Sequence, residues 1–329
     1  MRGGKVAVLI CLGLIGLVTA VQAQPAFVPG VIFDMGGKFD KSFNEAAYVG
    51  AERFTKETGL AYREFEVTNE GQREQALANM ARRGVTIVVA IGFSQRAPVE
   101  IVAKQYPNVK FTIIDAVVDL PNVQSVVYRE QEGAFLVGLL AAMKSRTGKI
   151  GFVGGMDIPL IRKFALGYEE GARFASPKIE VLQNMTGTTP AAWADPARGA
   201  ELARSQFDRG ADIVFAAAGT TGIGVLQAAK DAGKLSIGCD SNQNYLHPGS
   251  VLTSMIKRVD NAVYLAFKSA RDGSWKPGTQ ILGLAEDGIG YAVDDNNAAL
   301  VTSEMTAKAE AAKADIIAGR IKVTDYMAK

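Results

Sequence analysis

Three apolar runs in this chain end in the same acidic residue: Phe33-Asp34, Ile114-Asp115 and Cys239-Asp240. An aspartate at the end of a buried strand can accept hydrogen bonds from hydroxyl or N–H donors, as an acidic residue does for ribose hydroxyls in dinucleotide folds. The competing expectation is that each Asp caps the loop or helix behind it. Recurrence of one residue type at equivalent places favours a shared site. Aromatic rings are the second ingredient. Phe43 follows a Gly36-Gly37 turn, Phe93 lies in the loop Gly92-Phe93-Ser94, and Phe215 precedes Ala218-Gly-Thr-Thr-Gly222. A planar ligand gains about 1–3 kcal/mol for each base stacked on a ring. For Phe215 a place in the core competes with this role. Lys257, after the run Val251–Ile256, is suited to donate to hydroxyls and to offset the clustered carboxylates. Asn44, Ser94, Gly219 and Gly222 complete the candidate set from the same loops.

Catalytic arrangements fall short. The one histidine, His247, precedes Pro248, supplies no metal cluster and is a poor general base. No Gly-x-Ser-x-Gly elbow appears, nor either glycine-rich phosphate motif, and Asp34 and Asp40 beside the first loop would repel a phosphate. Paired carboxylates can run glycosidic chemistry. The calcium-binding Asp-x-Asp of a nucleoside hydrolase is not matched by Asp34-Met-Gly-Gly-Lys-Phe-Asp40. The expectation is binding without turnover: no catalytic residue, no metal and no cofactor.

The elements that must position these residues alternate. Val31–Phe33 reads as a strand and Phe43–Gly59 as a helix with Gly59 as its stop. Ser42 and Glu45 have the Ser-x-x-Glu spacing of a capping box. Strand and helix signals continue to about Ser145, and a second series opens at Lys149 on a strand closed by Gly154-Gly155. Such alternation predicts an α/β chain of parallel sheets covered on both faces, and the doubled series predicts two Rossmann-like lobes. The tail extends neither series simply: Ile281–Val293 reads as one strand broken at Glu286-Asp287-Gly288. It fits a chain that crosses between its lobes more than once. The expected division is 24–130 with 257–278 in one lobe and 131–256 with 279–329 in the other. Ligands in open parallel sheets sit beyond the carboxyl ends of the strands, where all three aspartates fall.

The chain has 329 residues, 48% of them hydrophobic, enough for two cored lobes, and its net charge of +2 points to neither nucleic acid nor an anionic membrane. Residues 1–23 read as a secretory signal: Arg2 and Lys5, an apolar Val6–Ala20, then Val21-Gln-Ala23 as cleavage site. Cys11 lies inside the apolar stretch behind Ile10, so the expectation is soluble export with cleavage near Ala23 rather than a lipoprotein. Cys239 is then the only thiol of a mature, monomeric chain, and no intrachain disulfide forms.

Phe33-Asp-Met-Gly-Gly-Lys-Phe-Asp-Lys-Ser-Phe-Asn-Glu45 resembles the signature of the basic membrane protein family, the purine nucleoside receptor type of ABC-transporter substrate-binding proteins. So do Val153-Gly-Gly-Met-Asp-Ile-Pro-Leu-Ile-Arg-Lys-Phe164, Asp195-Pro-Ala-Arg-Gly199, Phe215–Gly222, Gly238-Cys-Asp-Ser-Asn-Gln243 and Thr253–Asp260, in order over nearly the whole mature chain. The resemblance implies a type I periplasmic-binding fold with a three-crossing hinge. It implies that Asp34 and Asp115 meet the polar edge of a nucleobase and that Phe43 stacks on it. Asp240 and Lys257 would hold ribose hydroxyls, assisted by backbone near Gly219–Gly222. Met35, Thr220-Thr221 and Asn242 depart from the family pattern. The reading is a periplasmic protein, not an enzyme, that delivers a nucleoside, a purine nucleoside by preference, to an inner-membrane ABC permease. Alternatives are the same fold holding a flavin or a modified sugar, a secreted nucleoside-cleaving enzyme, or a sensor for a membrane receptor.

Overall fold

The computed structural model describes residues 27–328 together with positions 1 and 3. The expected signal at 1–23 lies outside the described residues apart from those two positions. Among the described residues no helix is long and apolar enough to cross a membrane.

The first lobe contains β1 (Pro29–Phe33), α1 (Phe43–Thr58), β2 (Arg63–Glu66), α2 (Gln72–Arg82), β3 (Ile87–Ala90), α3 (Arg96–Gln105), β4 (Lys110–Ile114) and β5 (Val123–Tyr128). The second contains α4 (Glu130–Lys144), β6 (Lys149–Met156), α5 (Pro159–Ala175), β7 (Glu180–Gly187), α6 (Pro196–Asp208), β8 (Ile213–Ala217), α7 (Thr220–Asp231), β9 (Leu235–Asp240) and β10 (Val251–Lys257). The chain closes with α8 (Val259–Asp272), β11 (Gly278–Leu282), β12 (Ile289–Tyr291) and α9 (Ser303–Ile317). Short apolar β-branched runs such as Ile87–Ala90 are fully buried, as expected of parallel strands with helices on both faces.

Two six-stranded sheets result, ordered β11-β5-β4-β3-β1-β2 and β12-β10-β9-β8-β6-β7. The orders are equivalent place for place, so β4 and β9 hold the same position in their sheets. Pairings are parallel except that of β12 with β10. Helix α8 returns to the first lobe, where Phe267 packs edge-on against Phe54 of α1 with ring centroids 5.4 Å apart. Three crossings therefore join the lobes: after β5, after β10, and between β11 and β12.

The tail differs from its sequence reading. Residues 279–282, expected in the second lobe, pair with β5 of the first sheet. Lys257, expected in the first lobe, ends β10 of the second. The Ile281–Val293 run is split between the sheets, and 283–288 forms the third crossing. An apolar strand pattern says which face is buried, not which sheet receives it.

Two local arrangements matter for the site. The capping box before α1 does not form, since Ser42 makes no capping hydrogen bond. Asp40 instead accepts from the backbone N–H of Ser42 (2.8 Å), Asn44 (3.0 Å) and Glu45 (3.0 Å). One carboxylate thus satisfies three donors that the helix start leaves unpaired. Helices α4 and α5 approach closely because Gly167 and Gly171 face α4: a Cβ at Gly171 would sit 1.9 Å from the Phe135 carbonyl oxygen. This contact brings the first turn of α4 beside Lys163 of α5.

Candidate ligand-binding site

The carboxyl ends of both sheets face one another across a narrow cavity of about 70 Å³. Asp34 follows β1, Asp115 follows β4 and Asp240 ends β9; all three line this cavity. Asp115 and Asp240 sit on equivalent strands and share the left-handed backbone conformation, with φ of 70° and 66°. That region is unusual outside glycine and recurs at functional turns.

Asp34 is held rigidly. Its Oδ1 accepts from Arg73 Nη2 (2.9 Å) and Nε (3.3 Å), and from the Met35 N–H (2.9 Å). Asn44 braces its main chain, accepting from the Asp34 N–H at 3.1 Å and donating to the Asp34 carbonyl at 3.3 Å. Gly92, at φ 99°, must be glycine, because a Cβ there would meet Asp34 Oδ2 at 2.5 Å.

Asp115 Oδ2 accepts from Lys257 Nζ at 2.7 Å, across the lobes. Asp115 Oδ1 is buried and has no hydrogen-bond partner among the described residues. Lys257 is 2% exposed and also pairs with Glu130 at 3.0 Å, and Glu130 with Lys163 at 2.9 Å. Burial pushes the Asp115 carboxyl up to about 6 despite the lysine beside it. Burial likewise raises Asp240, outweighing Lys257 and the Ser42 hydroxyl. For Lys257 burial works against the charge, but Asp115, Glu130 and Asp240 outweigh it and hold the ammonium above the ordinary lysine range. Glu130, opposed by burial too, is kept below the ordinary glutamate range by Lys257 and Lys163. Asp40 is raised by burial to about 7, against its three backbone donors.

Four rings line the cavity, Phe43, Phe93, Phe164 and Trp193; Phe43 at the start of α1 and Trp193 in the turn before α6 come from opposite lobes. Lys257 Nζ lies 5.1 Å from the Phe43 centroid. Trp193 depends on Gly155, whose Cβ would meet the indole at 2.2 Å. Gly154-Gly155, read from sequence as a strand-closing turn, lies inside β6, which runs on to Met156. The pair clears space for packed side chains.

The cavity brings together Asp34, Phe43, Asn44, Asp115, Gly219, Asp240 and Lys257. Three expected residues fall outside its lining. Phe215 is fully buried in β8, its ring centroid 5.5 Å from that of Phe152 and 5.3 Å from that of Tyr168. An inward position on a central strand puts a ring in the core. Gly222 lies in the first turn of α7 against Ala216, and Ser94 follows the lining residue Phe93 without joining it. Sequence reading missed Trp193, Arg73 and Glu130. The Trp-x-Asp-Pro stretch at 193–196 was a usable signal, while a helical arginine and a helix-start glutamate carried none.

The lobes are drawn together by direct hydrogen bonds. Ser42 Oγ donates to Asp240 Oδ2 (2.8 Å), with the Cys239 carbonyl as its other near acceptor (3.0 Å). Ser241 Oγ donates to the Ser42 carbonyl (2.7 Å), Gln243 Nε2 to that of Lys41 (3.0 Å) and Thr220 Oγ1 to that of Gly36 (3.0 Å). Among the described residues no cluster of His, Cys, Asp and Glu could hold a metal ion. The site offers acceptors, one buried ammonium and flat apolar surfaces.

Residues 27–326 match the family model of PnrA-like ABC transporter substrate-binding proteins. A protein of Pyrococcus abyssi named as an uncharacterized lipoprotein is 36% identical, the match spanning 88% of this chain and 74% of that one. The nucleoside-binding protein BmpA of a Lactococcus lactis ABC transporter is 31% identical over 93% of this chain and 91% of its own. A solved solute-binding protein of an Aeropyrum pernix ABC transporter system superposes with a TM-score of 0.82 at 30% identity, covering 90% of this chain and 93% of the other. The lipoprotein name of the Pyrococcus relative stands against the expectation of a chain that is not a lipoprotein. The leader carrying that expectation lies outside the described residues.

Proposed function

The chain belongs to the Bmp family of PnrA-like ABC transporter substrate-binding proteins, and from that premise we propose that it binds a nucleoside, a purine nucleoside by preference, between its lobes. Proteins of this family bind a small molecule for an ABC permease and are not enzymes. The observation that carries the ligand class is Asp115: one oxygen pairs with Lys257, and the other is buried, in the cavity wall, without a donor among the described residues. Buried acceptors in native proteins find partners, so the ligand brings an N–H or O–H to this atom. Asp34 Oδ2 and Asp240 offer further acceptors, and Phe43 with Trp193 offers two faces to a planar base. Surplus carboxylate disfavours an anion. The nucleoside-binding name of the Lactococcus lactis relative supports the same class.

Export across the cytoplasmic membrane and transfer to an inner-membrane permease complete the proposal. Titration calorimetry of the purified chain against purine and pyrimidine nucleosides is the test. Saturable binding of a purine nucleoside, with no free base released on prolonged incubation, is the expected result. Absence of heat across the panel overturns it.

A further inference from the structure

Glu130 does not line the cavity, yet it is one of two carboxylates paired with Lys257, the only cation lining the cavity among the described residues. It opens α4, directly after the first crossing, and is 1% exposed. Its Oε1 lies 3.0 Å from Lys257 Nζ and its Oε2 lies 2.9 Å from Lys163 Nζ. Lys163 also donates to the Tyr128 carbonyl at 2.7 Å, tying the pair to the crossing itself. Glu130, Lys163 and Lys257 all belong to the second lobe, on α4, α5 and β10. Asp115, the other partner of Lys257, belongs to the first.

The two carboxylates around Lys257 therefore differ in kind. Asp115 moves with the opposite lobe, whereas Glu130 travels with the lysine and remains its counter-ion when the lobes part. A buried ammonium without such a partner would turn away or lose its proton, because taking a charge out of water is costly unless it is paired. Asp325 Oδ2 lies 3.8 Å from Lys163 Nζ and shares that lysine's charge, so with Glu130 present the ammonium of Lys257 still donates toward the cleft while its field is offset within its own lobe. A ligand hydroxyl can share its hydrogen bond, and a ligand phosphate finds no uncompensated positive charge.

We propose that Glu130 is a positioning and specificity-determining residue, which holds Lys257 toward the cleft and offsets its charge so that the site takes a neutral nucleoside and rejects the phosphorylated counterpart. This rests on the nucleoside reading above. The experiment measures affinity of the full mature chain for the best-bound nucleoside and for its 5′-monophosphate, in parent, Glu130→Gln and Lys163→Gln proteins. Glu130→Gln preserves shape and removes the negative charge. The ratio of the two affinities is expected to shift toward the monophosphate by at least about tenfold, while a merely structural defect would weaken both ligands alike. Lys163→Gln leaves Glu130 wholly on Lys257, and the ratio is expected to hold or to widen in favour of the nucleoside.

An unchanged ratio in Glu130→Gln, including a monophosphate that stays unbound, overturns the proposal. If that variant fails to fold, a ratio in Lys163→Gln that shifts toward the monophosphate overturns it, and one that holds or widens supports it. A parent that binds no nucleoside strikes the functional reading instead, so the two failures are told apart.

Discussion

At the scale of single residues, the site is a set of carboxylates whose partners differ. Asp34 faces Arg73, and both are buried. Replacing Arg73 by Met leaves a buried charge alone, and loss of one partner of a buried pair costs about 3–5 kcal/mol. Thermal melting of Arg73→Met should report a loss of that order, and a melting point within experimental error of the parent would show that Asp34 is neutralised in some other way. Asp115→Asn should weaken nucleoside binding by about 2 kcal/mol, the scale of one hydrogen bond to a charged group; calorimetry that finds equal affinity removes Asp115 from the site. Asp40 sets a pH dependence. Its folded value of about 7 lies above the ordinary 3.8, so the folded chain holds the proton more tightly than the unfolded one. Its contribution to stability is therefore greatest at low pH, declines as pH rises through the window between those values, and is flat above it. Melting of the parent should fall relative to Asp40→Asn from about pH 4 to about pH 7 and run parallel beyond. A gap that stays constant across that window contradicts a raised Asp40. The three strand-end aspartates were legible in sequence because strand ends converge in any parallel sheet. Arg73 and Glu130 were not, since a buried ion pair depends on a partner far along the chain.

At the scale of elements, the start of α1 shows how one spacing admits two uses. Ser42 and Glu45 have capping-box spacing, but Asp40 already satisfies the donors they would serve. Glu45 accepts instead from the Lys41 N–H at 3.1 Å, and the Ser42 hydroxyl is released to reach Asp240 on the other lobe. The two uses predict opposite readouts. As a cap, Ser42→Ala would lower helix and global stability by about 1 kcal/mol. As a cross-lobe donor, it should weaken ligand binding by about 1 kcal/mol and leave the melting point of the ligand-free protein nearly unchanged. Binding and melting of Ser42→Ala decide the matter, and a lowered melting point with intact affinity would restore the cap. Nearly every helix and strand was legible, because burial on both faces of a parallel sheet and the regular alternation of strand with helix leave strong local patterns. Gly59 ends α1 in the left-handed conformation, as its sequence position implied. The misread elements are those whose meaning is non-local: Gly154-Gly155, which accommodates packed side chains, and the strands β11 and β12, assigned to sheets by the hinge.

At the scale of the whole molecule, two lobes were legible from the doubled strand–helix series, and the exact crossings were not, because connection is decided by packing between distant segments. The lobes meet through like charges as well as hydrogen bonds. Asp34, Asp40, Asp115 and Asp240 all line one narrow cavity, with Lys257 the only lining cation among the described residues. Closing this cleft takes carboxylates out of water, which favours their protonated forms, as the raised values of Asp40, Asp115 and Asp240 reflect. Without a ligand, closure should therefore become harder as pH rises and these groups ionise. The proposed ligand would reverse the balance by giving Asp115 and its neighbours N–H and O–H donors that survive only when water is excluded. Small-angle scattering tests this directly. The ligand-free chain should show a radius of gyration that grows between about pH 5 and pH 8, the range that brackets the raised carboxylates, and saturating nucleoside should contract it at pH 8 by more than at pH 5. A radius that ignores both pH and a ligand known to bind would mean that the cleft is permanently shut, with the Ser42–Asp240, Ser241–Ser42, Gln243–Lys41 and Thr220–Gly36 bonds holding it closed against the repulsion of its own carboxylates.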